Sequence, residues 1–219
     1  MPELDKQYFP YQRIQGYGTL PELEKVPGII RDYLMDMPGP GYTPPDDNRF
    51  FRCQLMKYLY YDTARPLENP LPSPQQKMQI VFDPDRPDDP PTEKGYRIFS
   101  QSTVNQAQTK AQTTMRIFMG RITPTGPYTA EASVVIQFLS NTHYEANTRT
   151  SALNRTFAMA CLAERALSGI DFGAGIGTMY FNRAGHGDCG IAPINDESTN
   201  VGYRLIMGLT VMGTNDNNQ

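Results

Sequence analysis

The apolar and polar positions change period along the chain, and the clearest change lies in its second half. Ser133-Val134-Val135-Ile136-Gln137-Phe138-Leu139 is an apolar run that predicts a strand. It leads through Ser140-Asn141-Thr142 into a stretch with helical spacing that ends at Gly169. The spacing predicts one long amphipathic helix over about 142–168, opened by Thr142 and Glu145 as a capping box and stopped by Ser168-Gly169. Its expected apolar stripe is Leu153, Phe157 and Cys161, with Ala160 and Leu167 at the shoulder, while Arg149, Arg155, Glu164 and Arg165 lie elsewhere. Two further strand-like runs follow, Ile176 to Phe181 and Tyr203 to Met212.

The first half is more broken. Residues 1–18 hold Tyr8, Phe9, Tyr11 and Tyr17 without a clear period, and read as an arm that must pack on something, since four exposed aromatics are costly. Thr19-Leu20-Pro21-Glu22 opens a helix that runs to about Met37. Pro27-Gly28 interrupts it, and Ile29, Ile30, Tyr33, Leu34 and Met37 then share one face. A Pro-rich loop over 38–48 precedes an aromatic run, Phe50 to Asp62, whose alternation predicts a strand with Cys53, Leu55, Leu59 and Tyr61 on one side and Arg52, Gln54, Tyr58 and Tyr60 on the other. A second Pro-rich connection, Pro66 to Pro74, leads to a short strand in which Met78, Ile80 and Phe82 alternate with Lys77, Gln79 and Val81. Asp83 to Pro91 cannot enter a sheet, because four of its nine residues are prolines without a ladder donor. Tyr96 to Ser100 is a further strand candidate, and Gln101 to Thr113 fits helix, strand or loop. Met115 to Thr123 alternates as a strand and turns at Pro124-Thr125-Gly126-Pro127 into the central strand.

The fold class is therefore α+β: a mainly antiparallel sheet backed by one long helix, with an N-terminal helix and long Pro-rich loops. A chain of 219 residues suits a single domain over 1–219, with the arm at 1–18 and a polar, flexible tail at 213–219, although two small domains sharing a sheet would fit the length. The 19 prolines exceed the usual share of about 5 % and cluster in the connections, which stiffens loops in a folded chain.

Net charge is −3 and no run of Lys or Arg occurs, so the monomer surface lacks the clustered cations of a DNA-binding footprint. Cys53, Cys161 and Cys189 are odd in number and far apart, unlike a disulfide framework. Met1 to Lys6 lacks an apolar core and no run approaches the roughly 20 residues needed to cross a bilayer, so no membrane partner is expected and the cytosol of the producing cell is the default compartment.

Candidate chemistry is sparse. Gly173-Ala174-Gly175-Ile176-Gly177 resembles a phosphate loop only in composition, since it follows a helix and enters a strand, with no Lys-Ser/Thr beside it; a turn is the better reading. His186-Gly187-Asp188-Cys189 is the densest reactive cluster, but His143 is the only other histidine and paired ligand spacing is missing, so a loop tip over Ala184 to Gly190 is expected. Asp83, Asp85 and Asp88 suggest a calcium loop, yet a proline stands at the third ligand position and no closing Glu follows. Asn154-Arg155-Thr156 matches a glycosylation triplet but falls inside the expected helix. Arg149 and Arg155 could meet phosphates, though helix arginines are more often solvated or ion-paired. No catalytic, cofactor-binding or metal-ligating residue is assigned, and no cofactor or enzyme activity is expected.

What stands out is the order of parts. Val134-Val135-Ile136-Gln137-Phe138-Leu139-Ser140 leads into Ala146-Asn147-Thr148-Arg149-Thr150-Ser151-Ala152-Leu153-Asn154-Arg155, then Leu162-Ala163-Glu164-Arg165-Ala166-Leu167-Ser168-Gly169, and Tyr203 to Val211 closes the chain as a strand. Over about 100–213, with the helix at 20–37, this order resembles the tail terminator (tail completion, or neck) proteins of tailed bacteriophages. The Pro-rich insertions at 38–48, 66–74 and 83–95 depart from that compact pattern. The resemblance implies a homohexameric ring at the head–tail junction of the virion. The ring would cap the tail tube and dock to a head-completion or neck protein, while double-stranded DNA passes through its lumen without specific binding. A head-completion or tail tube protein is the nearest alternative. A small ligand-binding domain or enzyme using the Gly173–Cys189 region is the alternative of another class.

Overall fold

The computed structural model describes residues 23–37, 48–83, 85, 95–101, 112–125, 129–141, 154–172, 177–181, 189–195 and 200–212. The arm at 1–18, the Thr19–Glu22 box, most of the 83–95 insertion, the run 102–111, the box at Thr142 and Glu145, and the tail lie outside them. In chain order the elements are α1 (Val26–Leu34), α2 (Arg49–Tyr60), a 3-10 turn (Pro66–Glu68), α3 (Pro74–Met78), β1 (Ile98–Phe99), β2 (Thr113–Pro124), β3 (Thr129–Asn141), α4 (Arg155–Leu167), β4 (Met179–Tyr180), β5 (Gly190–Asn195) and β6 (Asn200–Met212).

The expected α+β class holds. The sheet runs β1-β2-β3-β6-β4, with β5 also on β6, and only the β1–β2 pair is parallel. β2, β3 and β6 form its body: Ile117 lies opposite Ile136, and Ile136 opposite Leu205. Because side chains alternate across a strand, Met115, Ile117, Val134, Ile136, Phe138, Leu205, Met207 and Leu209 all point to one face, where they are buried. α1 packs on β2, α4 packs on β3 and β6, and α2 lies against α1 and α4. All contribute to one core cluster.

Three sequence expectations fail. Phe50 to Asp62 is not a strand. Arg52, Leu55, Met56 and Leu59 make a stripe at helical spacing, every one of them buried, and the run holds no Gly or Pro to break a helix. Lys77 to Phe82 is not a strand either: Ser73-Pro74-Gln75-Gln76 starts α3, with the Ser73 hydroxyl accepting from Gln76 N (3.3 Å) and Gln76 Oε1 accepting from Ser73 N (2.8 Å). Only Val81 bridges, in parallel, to Ile98. Third, the long helix does not run unbroken from 142. Asn154 has extended backbone and caps α4, its Oδ1 accepting from Phe157 N at 2.9 Å.

The buried face of α4 also differs from the expected stripe. Its buried face is Arg155, Thr156, Met159, Ala160, Ala163, Ala166 and Leu167, and the small alanines let the helix approach its neighbours closely. Phe157 and Cys161, expected in the stripe, are half-buried at its side, Phe157 set edge-on to Tyr203 with centroids 5.0 Å apart. The stop at Gly169 is as expected: its φ of +81° needs glycine, and its N–H donates to Met179 O at 2.9 Å. Gly190, expected at the end of the Ala184–Gly190 loop tip, instead opens β5, which pairs with β6.

Two substitutions on α4 test this assignment by urea titration. Ala163→Asp places an unpaired charge in the core and is expected to leave no folded protein. Phe157→Asp loses a half-buried ring pair but gains a carboxylate in the first turn, so a folded protein weakened by about 1–2 kcal/mol is expected. Equal effects would show the face to be misassigned.

Candidate functional site

Three helices end in the same layer, and each leaves backbone carbonyls without intrahelical donors. α1 closes in a turn where Met37 N donates to Asp32 O (2.9 Å) and Asp36 N to Tyr33 O (3.0 Å). This is the bond pattern that normally ends in glycine, and Asp36 occupies the left-handed position at φ +54°. The side chain explains the departure: its carboxylate accepts from Arg49 Nε (3.0 Å) and Arg52 Nη2 (2.9 Å). Arg52 is fully buried and stacks over Tyr33, 4.5 Å from the ring centroid. Buried Lys77 donates to Met35 O at 2.6 Å.

The end of α2 is held by two more buried cations. Arg97 donates to Leu59 O (3.0 Å) and forms a two-pronged pair with Asp62 (2.6 and 2.5 Å). Arg155 Nη2 donates to Tyr58 O and Tyr61 O, and Nη1 to Thr63 O at 3.1 Å. At the end of α4, Ala166 O accepts from Tyr33 OH (2.7 Å) and Asn48 Nδ2 (3.2 Å). Arg155, read as a surface or phosphate-facing residue, is thus a buried clamp; Arg149 lies outside the described residues.

This network sets two titrations. Burial pushes the Asp36 carboxyl upward, but the hydrogen bonds from Arg52 and Arg49 and the charges of Arg52 and Lys77 outweigh it, so its pKa lies below the ordinary value of 3.8. Burial holds the Lys77 ammonium below its ordinary 10.5, with Asp36 opposing. Burial also pushes the Cys161 thiol up, Arg165 opposing, which keeps it protonated and a poor nucleophile at neutral pH.

The other face of the sheet is different. Val135 lies between Phe118 and Ile206, forming an apolar row; the adjacent row is Arg116, Gln137 and Arg204, with Ala192 beyond. Arg204 is exposed and the other members of the two strand rows are half-buried. Tyr180 covers Gly208 on the same face, where a Cβ on Gly208 would stand 2.1 Å from its ring. α1, α2 and α4 pack against the opposite, buried face. The sheet's edges are blunted: edge strand β1 is only two residues long and edge strand β5 carries Pro193. Inside the sheet, β2 bulges against β3 between Met119 and Ile122, where Ser133 Oγ accepts from Arg121 N (2.7 Å).

The reactive candidates do not converge. The glycine stretch ends in a turn: Phe172 N donates to Gly177 O (3.2 Å), Asp171 bridges Thr178, and Gly177 at φ +78° leaves no room for a Cβ beside Thr210 O. It leads into β4 rather than a helix, and residues 173–176 lie outside the described ones. So do His143, His186 and Asp188. Cys53, Cys161 and Cys189 form no disulfide. Among the described residues no metal-binding cluster occurs and no helix is long and apolar enough to cross a membrane. Asp83 Oδ1 accepts from Asp85 N (3.0 Å), a local turn; Asp88 lies outside. Asn154 is a helix cap, not mid-helix. The sequence reading missed Arg52, Arg97 and Lys77, whose only signal was a charged residue at an apolar position of a helical or strand period.

The model of the family described as YomW matches residues 53–209, from Cys53 in α2 to Leu209 in β6. No curated protein and no solved structure matches the chain.

Asp36→Asn keeps the left-handed turn, which Asn tolerates, but strips Arg52 of its counter-charge. A loss of about 2–3 kcal/mol at pH 7 is expected. The sign follows from the lowered carboxyl pKa: the contribution is present above pH 3.8 and lost as pH falls through the folded value. Wild-type stability should therefore drop more steeply than the variant's below about pH 4, and parallel curves in urea titrations would refute the pairing.

Arg155→Met removes the clamp while keeping the apolar stem. A loss of about 2–4 kcal/mol is expected, with hydrogen exchange rising first at the amides of 57–61. Uniform loss of protection would count against a local clamp.

Proposed function

The chain belongs to the YomW family, which is phage-associated, and from that premise we propose that it is a non-enzymatic structural protein of a tailed-phage virion. In this reading copies form a ring, six in number, at the head–tail junction. The ring terminates the tail tube, meets a head-completion or neck protein on its other side, and leaves a lumen for double-stranded DNA. The protein is made in the host cytoplasm and ends in the particle.

The observation that carries the reading is the two-sided sheet. One face is closed by helices; the other presents Phe118, Val135 and Ile206 half-exposed beside Arg204, with Tyr180 across Gly208. A monomer gains nothing by leaving such a row toward solvent, whereas an assembly can cover it. The aromatic run at 50–60, expected to supply a two-faced strand, contributes differently. Its Leu55, Tyr58 and Leu59 belong to the core, and Phe50 at the start of α2 is 65 % exposed. The order of parts is compatible too: β3 leads into α4, and β6 returns beside β3 over its whole length.

Heterologous contacts between unlike surfaces close into rings when the rotation allows. Native mass spectrometry with negative-stain imaging of the purified chain is expected to give closed six-fold rings. Open filaments at high concentration would favour a tail tube subunit. A compact monomer at every concentration would end the ring reading. His186→Ala and Cys189→Ala should both assemble normally; loss of function in either, with fold and assembly kept, would favour a ligand site in the Gly173–Cys189 region.

A further inference from the structure

Charge is not spread evenly along the chain: the described helices and strands are both net basic, and the acidic excess lies in the connections and termini. The six described strands carry Arg116, Arg121 and Arg204 against Glu131 alone, although the chain as a whole is −3. Arg204 stands exposed on the solvent face of the sheet and, among the described residues, makes no hydrogen bond or ion pair. It flanks Gln137, with Arg116 on the other side, and the two arginines sit two strands apart, about 10 Å between backbones. Next to them run Phe118, Val135 and Ile206, and beyond these lies Tyr180.

The same chain holds the complementary chemistry in one stretch. Asp83-Pro84-Asp85-Arg86-Pro87-Asp88-Asp89-Pro90-Pro91 has four aspartates to one arginine and four prolines. Proline-rich segments suit aromatic surfaces, because the stiff backbone costs little entropy to fix and the rings pack on aromatic faces. Acidic side chains suit an arginine row. At its start, Asp85 is exposed and Asp83 half-buried. Both sheet edges are blunted, so a strand added at an edge is the less favoured mode of contact.

We propose that the arginine and aromatic face of the sheet receives a second copy of this chain, whose Asp83–Pro91 stretch lies across Arg204, Gln137 and Phe118. This deepens the ring reading and rests on it: an acidic proline stretch on one copy and a basic aromatic face on the next are unlike surfaces, as a closing ring requires. The contact is electrostatic at its rim and apolar at its centre, so salt should weaken it.

Charge reversal tests it on the full chain by sedimentation velocity at low salt. Arg204→Glu and, separately, Asp85→Arg with Asp88→Arg should each raise the dissociation constant of assembly at least about tenfold. Combining all three should restore most of the affinity. Arg204 is exposed, so the fold should survive; circular dichroism checks this, and Arg204→Gln, expected to weaken assembly in the same direction, replaces Arg204→Glu if it does not. Wild-type rings unaffected by these variants would overturn this contact and leave the ring reading standing. A wild-type monomer would overturn both. Coupled charge effects on the stability of a monomer would place the stretch on its own sheet and overturn the exchange between copies. A labelled single-stranded oligonucleotide bound by wild type and released by Arg204→Glu, with assembly unchanged, would assign the face to nucleic acid instead.

Discussion

The carbonyl ends of α1, α2 and α4 are brought into one layer, and the structure depends on how they are satisfied. A helix end carries a partial negative charge and several acceptors without donors, so burying it without partners costs several kcal/mol. Here Lys77, Arg97 and Arg155, with Tyr33 and Asn48, supply donors from outside each helix. Each cation is buried in turn, and each would be expensive alone. The two costs cancel only when both are in place. That mutual dependence ties elements distant in sequence: Arg155 holds carbonyls more than ninety residues away, and Tyr33 reaches Ala166.

Asp36 shows the same logic at finer scale. Glycine would close the turn after α1 with less backbone strain, but it would leave Arg49 and Arg52 without an acceptor. The left-handed aspartate accepts a conformational cost of about 1 kcal/mol in exchange for neutralising a fully buried arginine. The lowered carboxyl pKa is the thermodynamic trace of that exchange.

How much of this the sequence revealed follows from which rule each residue obeys. β2, β3 and β6 were legible because their alternation is clean, and the end of α4 because Gly169 stands where only glycine fits well. α2 was misread because its stripe begins with Arg52, a residue that counts as polar until its partners are known; with Arg52 taken as buried, the helical spacing through Leu55, Met56 and Leu59 is plain. Phe157 was misplaced for a related reason. Its large ring suggests an inward position, whereas packing turns Met159 and the small alanines inward and leaves Phe157 at the side. Buried cations sit at apolar positions of a period, but what marks them as buried is an acceptor elsewhere in the fold, which the local sequence does not show. The surface candidate was only half legible: the sequence showed apolar alternation, but the pairing of Arg204 with Gln137 and Arg116 requires the register of three strands.

The two faces of the sheet obey opposite demands, and the edges indicate how such a protein can associate. On the helix side, packing is close: Val134, Ile136, Phe138, Leu205, Met207 and Leu209 are buried and the alanines of α4 leave little slack. At the edges, the two-residue β1 and the proline in β5 leave little of the ladder that a foreign strand would need. A sheet closed on one face and blunted at its rims has its other face left for contact. There Tyr180 fills the space above Gly208, one cross-strand row away from Val135 and Ile206, instead of opening a gap to water. Side-chain contact across a face is also easier to make reversible and selective than strand addition, because charge and shape, not generic backbone bonds, decide the partner.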